Sequence, residues 1–289
     1  MVAKKQRRPQ LLSSSRPHKI KPAPSLSSRM TRSLIRSHHI LRKQFSAASS
    51  KGDTGEAQAI QAKIEGFGGL PKYQEASIQG QSAPRGGDTS RVLMDWLTKG
   101  EGEDKISVKS GGQLRMLEVG ALRPDNACSR SKLFEMERID LHSQHPDIKQ
   151  QDFLARPLYA AGDVVQKGFD IVSLSLVVNF VGDPVQRGEM LRRVASFLKS
   201  CSGHKVGLFP GLFLVLPTAC VANSRYLNEE RLDAIMESLG YQRVKRKLSS
   251  KLVYYLWKYE AGKAERSKVF KKEEIRSGKS RNNFAIVLR

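Results

Sequence analysis

The runs FDIVSLSLVVNFV and GLFLVLPTAC leave almost no polar position, which excludes a strand with one face in water. Strands this apolar are covered on both faces, and a parallel sheet flanked by helices is the common way to do that. Two shorter runs, RMLEVG and MERIDL, precede them and also read as strands. Between the long runs lies PVQRGEMLRRVASFLKS, an amphipathic helix in which Met190, Leu191, Val194, Phe197 and Leu198 recur at helical spacing. NEERLDAIMESLG is a second helix, with Asn228 placed to cap its start and Gly240 to stop it. The alternation predicts an α/β fold with a mostly parallel sheet and helices on both faces. VYYLWKY and FAIVL are the final strands. Only a basic loop separates them, so they are expected to pair as an antiparallel C-terminal edge hairpin.

Three segments follow from composition. Residues 1–55 form a basic, mostly disordered arm in which SLIRSHHILRKQF can make a short helix. Residues 56–110 are a helical N-terminal extension. Its first helix breaks at GFGGLP, and VLMDWL is a buried helical turn packed on the main domain. Residues 111–289 are the α/β domain, with a basic C-terminal hairpin loop. The formal charge of +22 sits at the ends. Residues 1–51 carry thirteen Lys/Arg and no Asp/Glu, residues 231–260 carry seven against three, and 261–289 nine against three. Residues 52–230 are balanced, with 21 basic and 22 acidic. Basic arms around a neutral core suit a phosphate backbone, although a solubilising tail or a nuclear address has the same composition. Cys128, Cys201 and Cys220 form no C-x-x-C pair, which argues for a reducing compartment and against a structural zinc site. No apolar run approaches the roughly 18 residues that cross a bilayer, so no membrane partner is expected. The acid-free start fits a mitochondrial presequence in composition, but KKQRRP with its prolines favours a nuclear or nucleolar destination.

A ligand is expected at the carboxyl ends of the first strands. Glu118 and Gly120 end one strand, and Asp140 ends the next, 20 residues after that glycine. A dinucleotide fingerprint would have further glycines where this chain has Leu122 and Asp125. Asp140 can accept hydrogen bonds from both hydroxyls of a ribose, and Asp152 beside Phe153 suits the amine and face of an adenine. Leu122, Pro124 and Asp125 make a poor phosphate cradle. A cationic adenosine such as S-adenosylmethionine would tolerate this loop, with Glu118 and Asp125 favouring its charge. The plainer alternatives are polar strand ends at Glu118 and Asp140, a turn glycine at Gly120 and a core position for Phe153.

LEVGALRPDN, ERIDLHS, QDFLARPL, FDIVSLSLVVNFVGDPVQRGEML and LFLVLPTACVANSRYL together resemble the fungal 25S ribosomal RNA adenine-N(1) methyltransferase family. The likeness runs from about residue 66 to the end, with GGLPKYQEASIQGQ and FKKEEIRSGKSRNNFAIVL included. It implies a Rossmann-like class I methyltransferase that uses S-adenosyl-L-methionine. Its partner would be 25S rRNA, free or in a pre-60S particle, during ribosome biogenesis in the nucleolus of the nucleus. By position, Gly120 falls in the first cofactor motif, Asp140 on the ribose acid, and Asp152 and Phe153 in the third motif. Residues 173–181 occupy the place of a target-base motif, but no N-P-P-Y follows: Asn179 leads into Phe180, Val181 and Gly182. Phe180 is the first candidate to stack on the base and Asn179 to hydrogen-bond it. A core Phe180 and a platform at Tyr226 are the alternatives. The chemistry requires no metal and no general base, because N1 of neutral adenine has a free lone pair. RKLSSKLVYYLWKYEAGKAERSKVFKKEEIRSGKSRNN mixes Lys/Arg with aromatics, as a backbone-tracking surface does, unless Tyr255 and Trp257 are buried in strands. A cofactor-binding sensor without methyl transfer and a protein methyltransferase are the rival functions. A monomer is the default.

Overall fold

The computed structural model describes residues 27–80, 87–99, 113–159, 168–199, 208–265 and 267–289. Its centre is a seven-stranded sheet: β1 (Leu114–Val119), β2 (Phe134–Asp140), β3 (Lys149–Gln150), β4 (Ile171–Ser175), β5 (Gly211–Pro217), β6 (Tyr241–Leu248) and β7 (Leu252–Tyr259). The order is β3-β2-β1-β4-β5-β7-β6. The first five strands are mutually parallel, and β7 runs antiparallel to both β5 and β6. β1 therefore sits between β2 and β4, and the point where strand order reverses falls beside its carboxyl end.

Eight helices are labelled in chain order: α1 (Ser28–Ser50), α2 (Thr54–Gly66), α3 (Gly69–Gly80), α4 (Ser90–Thr98), α5 (Ala127–Arg130), α6 (Pro184–Val194), α7 (Thr218–Ala222) and α8 (Glu229–Ser238). The sheet is apolar on both sides because its side chains alternate between two cores. Leu212, Leu214 and Leu216 of β5 face α6 and α8, joining Met190, Leu191, Val194, Leu232, Ile235 and Met236. Phe213 and Val215 face the other way, against Leu93 and Leu97 of α4. The VLMDWL stretch thus covers a sheet face, as expected. Asn228 caps α8 by accepting from the Arg231 N–H at 2.9 Å, and Gly240 ends it with φ +88°.

Four expectations need correction. The antiparallel edge hairpin is present, but β6 and β7 make it. FAIVL is extended without being a strand, and it lies on α6, where the Val287 N–H donates to the Pro184 carbonyl at 3.0 Å. Gly188 permits that approach: a Cβ there would stand 1.9 Å from the Val287 oxygen. Second, the strand in FDIVSLSLVVNFV stops at Ser175, because Leu176 turns the chain with φ +59°. Third, the short helix expected at SLIRSHHILRKQF is longer: α1 runs for 23 residues and packs through Leu41, Phe45 and Ala48 on Ala57, Ile60 and Ile64 of α2. Residues 1–26 lie outside the described residues. Fourth, GFGGLP ends α2 but also starts α3, with Pro71 in the first turn, where its missing N–H costs nothing. Among the described residues no helix is long and apolar enough to cross a membrane.

Candidate active site

The turn after β1 is shaped by Gly120. Its φ of +73° is a left-handed conformation, and an added Cβ would lie 2.6 Å from Val177 Cγ2. Its N–H and that of Ala121 both donate to the Ile139 carbonyl of β2, at 2.8 and 3.2 Å. The turn borders a cleft of about 840 Å³, counting the part open to solvent, lined by Asp88, Glu118, Gly120, Asp125, Asn126 and Ser175 among others. Glu118 is the half-buried acid of this cleft. Burial pushes its carboxyl up to about 7, against the opposing pull of the Asn126 amide and the Arg138 charge. The Asn126 Nδ2 group donates to both carboxylate oxygens, at 2.7 and 2.8 Å.

The start of α5 is already occupied. Asn126 caps it by accepting from the Ser129 N–H at 2.9 Å, and the Ala127 N–H donates to the Asp88 carboxylate. Asp88 arrives on the segment before α4, held by the Ser90 N–H at 2.9 Å. The Thr89 and Ser175 hydroxyls, 2.8 Å apart, fasten that segment to the end of β4. A protein carboxylate therefore stands at the first amide of α5. Asp125 is exposed and forked onto Arg123 at 2.6–2.9 Å, which keeps its carboxyl below the usual carboxylate range. Its charge is spent within the turn.

Asp140 stands at the tip of β2, and its Oδ1 accepts from the His142 N–H at 2.8 Å. Asp152 follows β3 and accepts from the Leu154 N–H at 2.8 Å. Both belong to the carboxyl end of the sheet. Among the described residues, however, the cleft lining includes Glu118 and Gly120 but neither of these acids. Phe153 needs correction as an adenine face: it is 3% exposed and packs on Phe197 with ring centroids 5.4 Å apart. The QDFLARPL loop is a packing device, with buried Arg156 donating to Glu137 at 2.7 Å and Gln151 at 2.9 Å.

The loop after β4 carries the other candidates. Asn179 Oδ1 is buried with no hydrogen-bond partner among the described residues, an expensive arrangement in a folded chain. Phe180 is 42% exposed, which makes it available to a ligand. Its ring meets the edge of Tyr73 at 6.4 Å and 88°, and Tyr73 stacks on His38 at 4.3 Å and 17°. Tyr73 is on α3, whose Gln74 Nε2 donates to the His142 carbonyl just past β2. α3 thus bridges the tips of β2 and β4. Burial raises the Tyr73 hydroxyl, and the Asp140 charge adds to that. Sequence reasoning missed Tyr73, since its partners lie far along the chain and α3 itself was hidden by GFGGLP.

Buried Arg187 pins the loop from beneath, donating to the Val181, Gly182 and Ala285 carbonyls at 2.8, 3.2 and 2.7 Å. Arg276 does the same after β5, donating to the carbonyls of Val221, Ala222, Ser224 and Leu227 at 2.6–3.1 Å. The neighbouring Tyr226 has the Lys272 ammonium 4.5 Å from its ring centre, so one face is taken. On β6, Arg243 pairs with Asp233 at 3.0 Å and Arg246 forks onto Glu229 at 2.7–2.8 Å. Tyr255 and Trp257 are fully buried, as the plainer of the two expectations had it.

Residues 58–286 match the family model described as 25S rRNA (adenine(2142)-N(1))-methyltransferase, Bmt2. A Schizosaccharomyces pombe protein named 25S rRNA adenine-N(1) methyltransferase is 36% identical over 255 residues, covering 88% of this chain and 89% of its own. A Saccharomyces cerevisiae protein named 25S rRNA (adenine(2142)-N(1))-methyltransferase is 34% identical over 272 residues, 91% of this chain and 74% of that one. Among solved structures, the O-methyltransferase NcsB1 in complex with S-adenosylmethionine is similar at TM-score 0.47 and 11% identity, over 80% of this chain and 71% of its own.

Proposed function

The chain belongs to the 25S rRNA adenine-N(1) methyltransferase family, and from that premise we infer that it is an S-adenosyl-L-methionine-dependent enzyme that methylates N1 of an adenine in 25S rRNA. The observation that carries the reading is the cleft beside β1. Gly120 makes the left-handed turn that borders it, where any Cβ would strike Val177, the half-buried acid Glu118 lines it, and the adjoining helix start is occupied by Asp88. The lining balances Asp88, Glu118 and Asp125 with Arg91, Arg123 and Arg130, and with the first amide of α5 already taken by Asp88 it fits a zwitterionic amino-acid adenosine such as S-adenosylmethionine. Glu118, Gly120, Asp140 and Asp152 would hold the cofactor, with Asp140 on the ribose hydroxyls. When bound, S-adenosylmethionine supplies the electrophilic methyl group.

The protein's own part is alignment and exclusion of water. N1 of neutral adenine attacks with its lone pair, so no side chain need remove a proton. Asn179 Oδ1, buried and without a partner among the described residues, is suited to accept from the adenine amino group. Phe180 offers the ring on which an unpaired base can stack. The product base is cationic, and the Asn179 carbonyl dipole and the acids around the cleft favour that developing charge. Left-handed Leu176 is the kind of strained residue that gathers at reacting sites, and it aims the loop that carries both groups.

The pre-60S particle as the form in which the RNA is met, a nucleolar location and a monomeric state are parts of the same proposal. The acid-free basic arm supports the nuclear address. The test is transfer of labelled methyl to unmodified large-subunit rRNA, beside Gly120→Arg. Label recovered as 1-methyladenosine with the unaltered chain and lost with the variant is the expected result. Cofactor binding without transfer to any RNA would overturn the enzymatic reading.

A further inference from the structure

Basic residues recur on several surfaces of the molecule, and acids neutralise them to different extents. On β6 the arginines are matched by the acids of α8, through the Arg243–Asp233 and Arg246–Glu229 pairs. Helix α1 is different. Its 23 residues include no Asp or Glu, and Arg29, Arg36 and Arg42 are exposed with no carboxylate paired to them among the described residues. This helix is also tied to the reacting end of the sheet. His38 lies close enough to Arg42 to feel its charge, stacks on Tyr73, and through Tyr73 reaches the edge of exposed Phe180. The Gln74 contact to His142 holds α3 across the same end.

We propose that the α1–α3 layer is the RNA-docking surface of the active site: the arginines of α1 track the phosphates beside the target adenine, and Tyr73 positions Phe180 to receive its base. The proposal rests on the rRNA methyltransferase reading and names the surface through which that substrate enters. Its physical basis is that unneutralised arginines along one helix supply affinity without sequence readout, while aromatic rings supply stacking for an unpaired base. Tyr73 is a positioning residue here. Its ring lies edge-on against Phe180 and has His38 behind it, so Phe180 is held in one orientation without Tyr73 touching the base.

The experiment uses the full chain and unmodified large-subunit rRNA, with Arg36→Glu/Arg42→Glu, Tyr73→Ala, Tyr73→Phe and a control, Lys132→Glu. Lys132 is exposed in the turn before β2, at the amino end of the sheet and away from the site. Circular dichroism and S-adenosylmethionine affinity are measured first and are expected to match the unaltered chain for both arginine substitutions. The double reversal should then weaken RNA binding tenfold or more near 0.1 M salt. It should also reduce the slope of log affinity against log salt by about one to two. Tyr73→Ala should lower kcat at least tenfold with RNA affinity and salt slope little changed, and Tyr73→Phe should restore it. The proposal is overturned if the double reversal behaves like Lys132→Glu, or if Tyr73→Phe is as impaired as Tyr73→Ala. Should the unaltered chain neither bind nor methylate the RNA, the parent reading itself fails, which is a different result.

Discussion

Starved of water, the Glu118 carboxyl holds its proton up to about 7, whereas an ordinary glutamate in the unfolded chain loses it near 4.5. Between those values the folded protein binds a proton that the unfolded chain has released, so stability falls as pH rises through that window. Above 7 the ionised, buried carboxyl costs up to about 3 kcal/mol. Glu118→Gln keeps an acceptor for Asn126 and should remove the effect, raising stability at pH 8 by about 1–3 kcal/mol in urea titrations. The same variant should flatten the pH dependence of cofactor affinity, which in the unaltered chain strengthens from pH 6 to 8 as the carboxylate forms opposite a cation. Parallel profiles for the two proteins by calorimetry would refute a role for Glu118 in holding that charge. The places of Glu118, Gly120 and Asp140 at strand ends and in a turn were legible in the sequence because these are local features. Phe153 was not, since an aromatic beside an acid reads the same whether it faces a ligand or Phe197. Nor was Leu176, because nothing in a leucine announces a left-handed backbone.

At the scale of elements, the C-terminal segment is a brace. Phe284, Ile286 and Leu288 enter the core beside α6, Arg187 reaches Ala285 from below, and Arg276 gathers four carbonyls of the loop after β5. Two strings that are far apart in the chain, LPTACVANSRYL and IRSGKSRNN, are thus one structural unit. Gly188→Ala would drive a methyl into the Val287 carbonyl and is expected to cost more than about 3 kcal/mol, read as a fall in urea midpoint. Arg276→Ala strips the donors from four carbonyls and should cost about 2–4 kcal/mol, with faster amide exchange confined to residues 221–227. The apolar runs revealed β4, β5 and their helices, because burial on both faces leaves a mark in composition. FAIVL carries the same mark for another reason: it is buried as an extended segment on a helix. β6 was missed because YQRVKRKL is mostly polar, as an edge strand protected from stray pairing tends to be.

Taken whole, the molecule joins a nearly neutral sheet domain to positive material at its ends, and one surface of that material, α1, reaches the active centre. A chain starting at residue 27 loses seven positive charges but keeps every described element. It should retain cofactor affinity within about twofold while binding RNA about tenfold more weakly at low salt, the gap closing as salt rises. A fall in cofactor affinity of similar size would mean that the arm acts on the cleft and not on the RNA. One consequence concerns competition inside a cell, where phosphorylated adenosines far outnumber any other ligand bearing the same base and sugar. By seating Asp88 on the first amide of α5, the protein sets its own anion beside the cleft such molecules would enter. Where that carboxylate outweighs Arg91, Arg123 and Arg130 in the same lining, nucleotides are expected to compete poorly for the cleft. Asp88→Asn should remove that immunity, so that ADP inhibits the variant at concentrations the unaltered enzyme ignores.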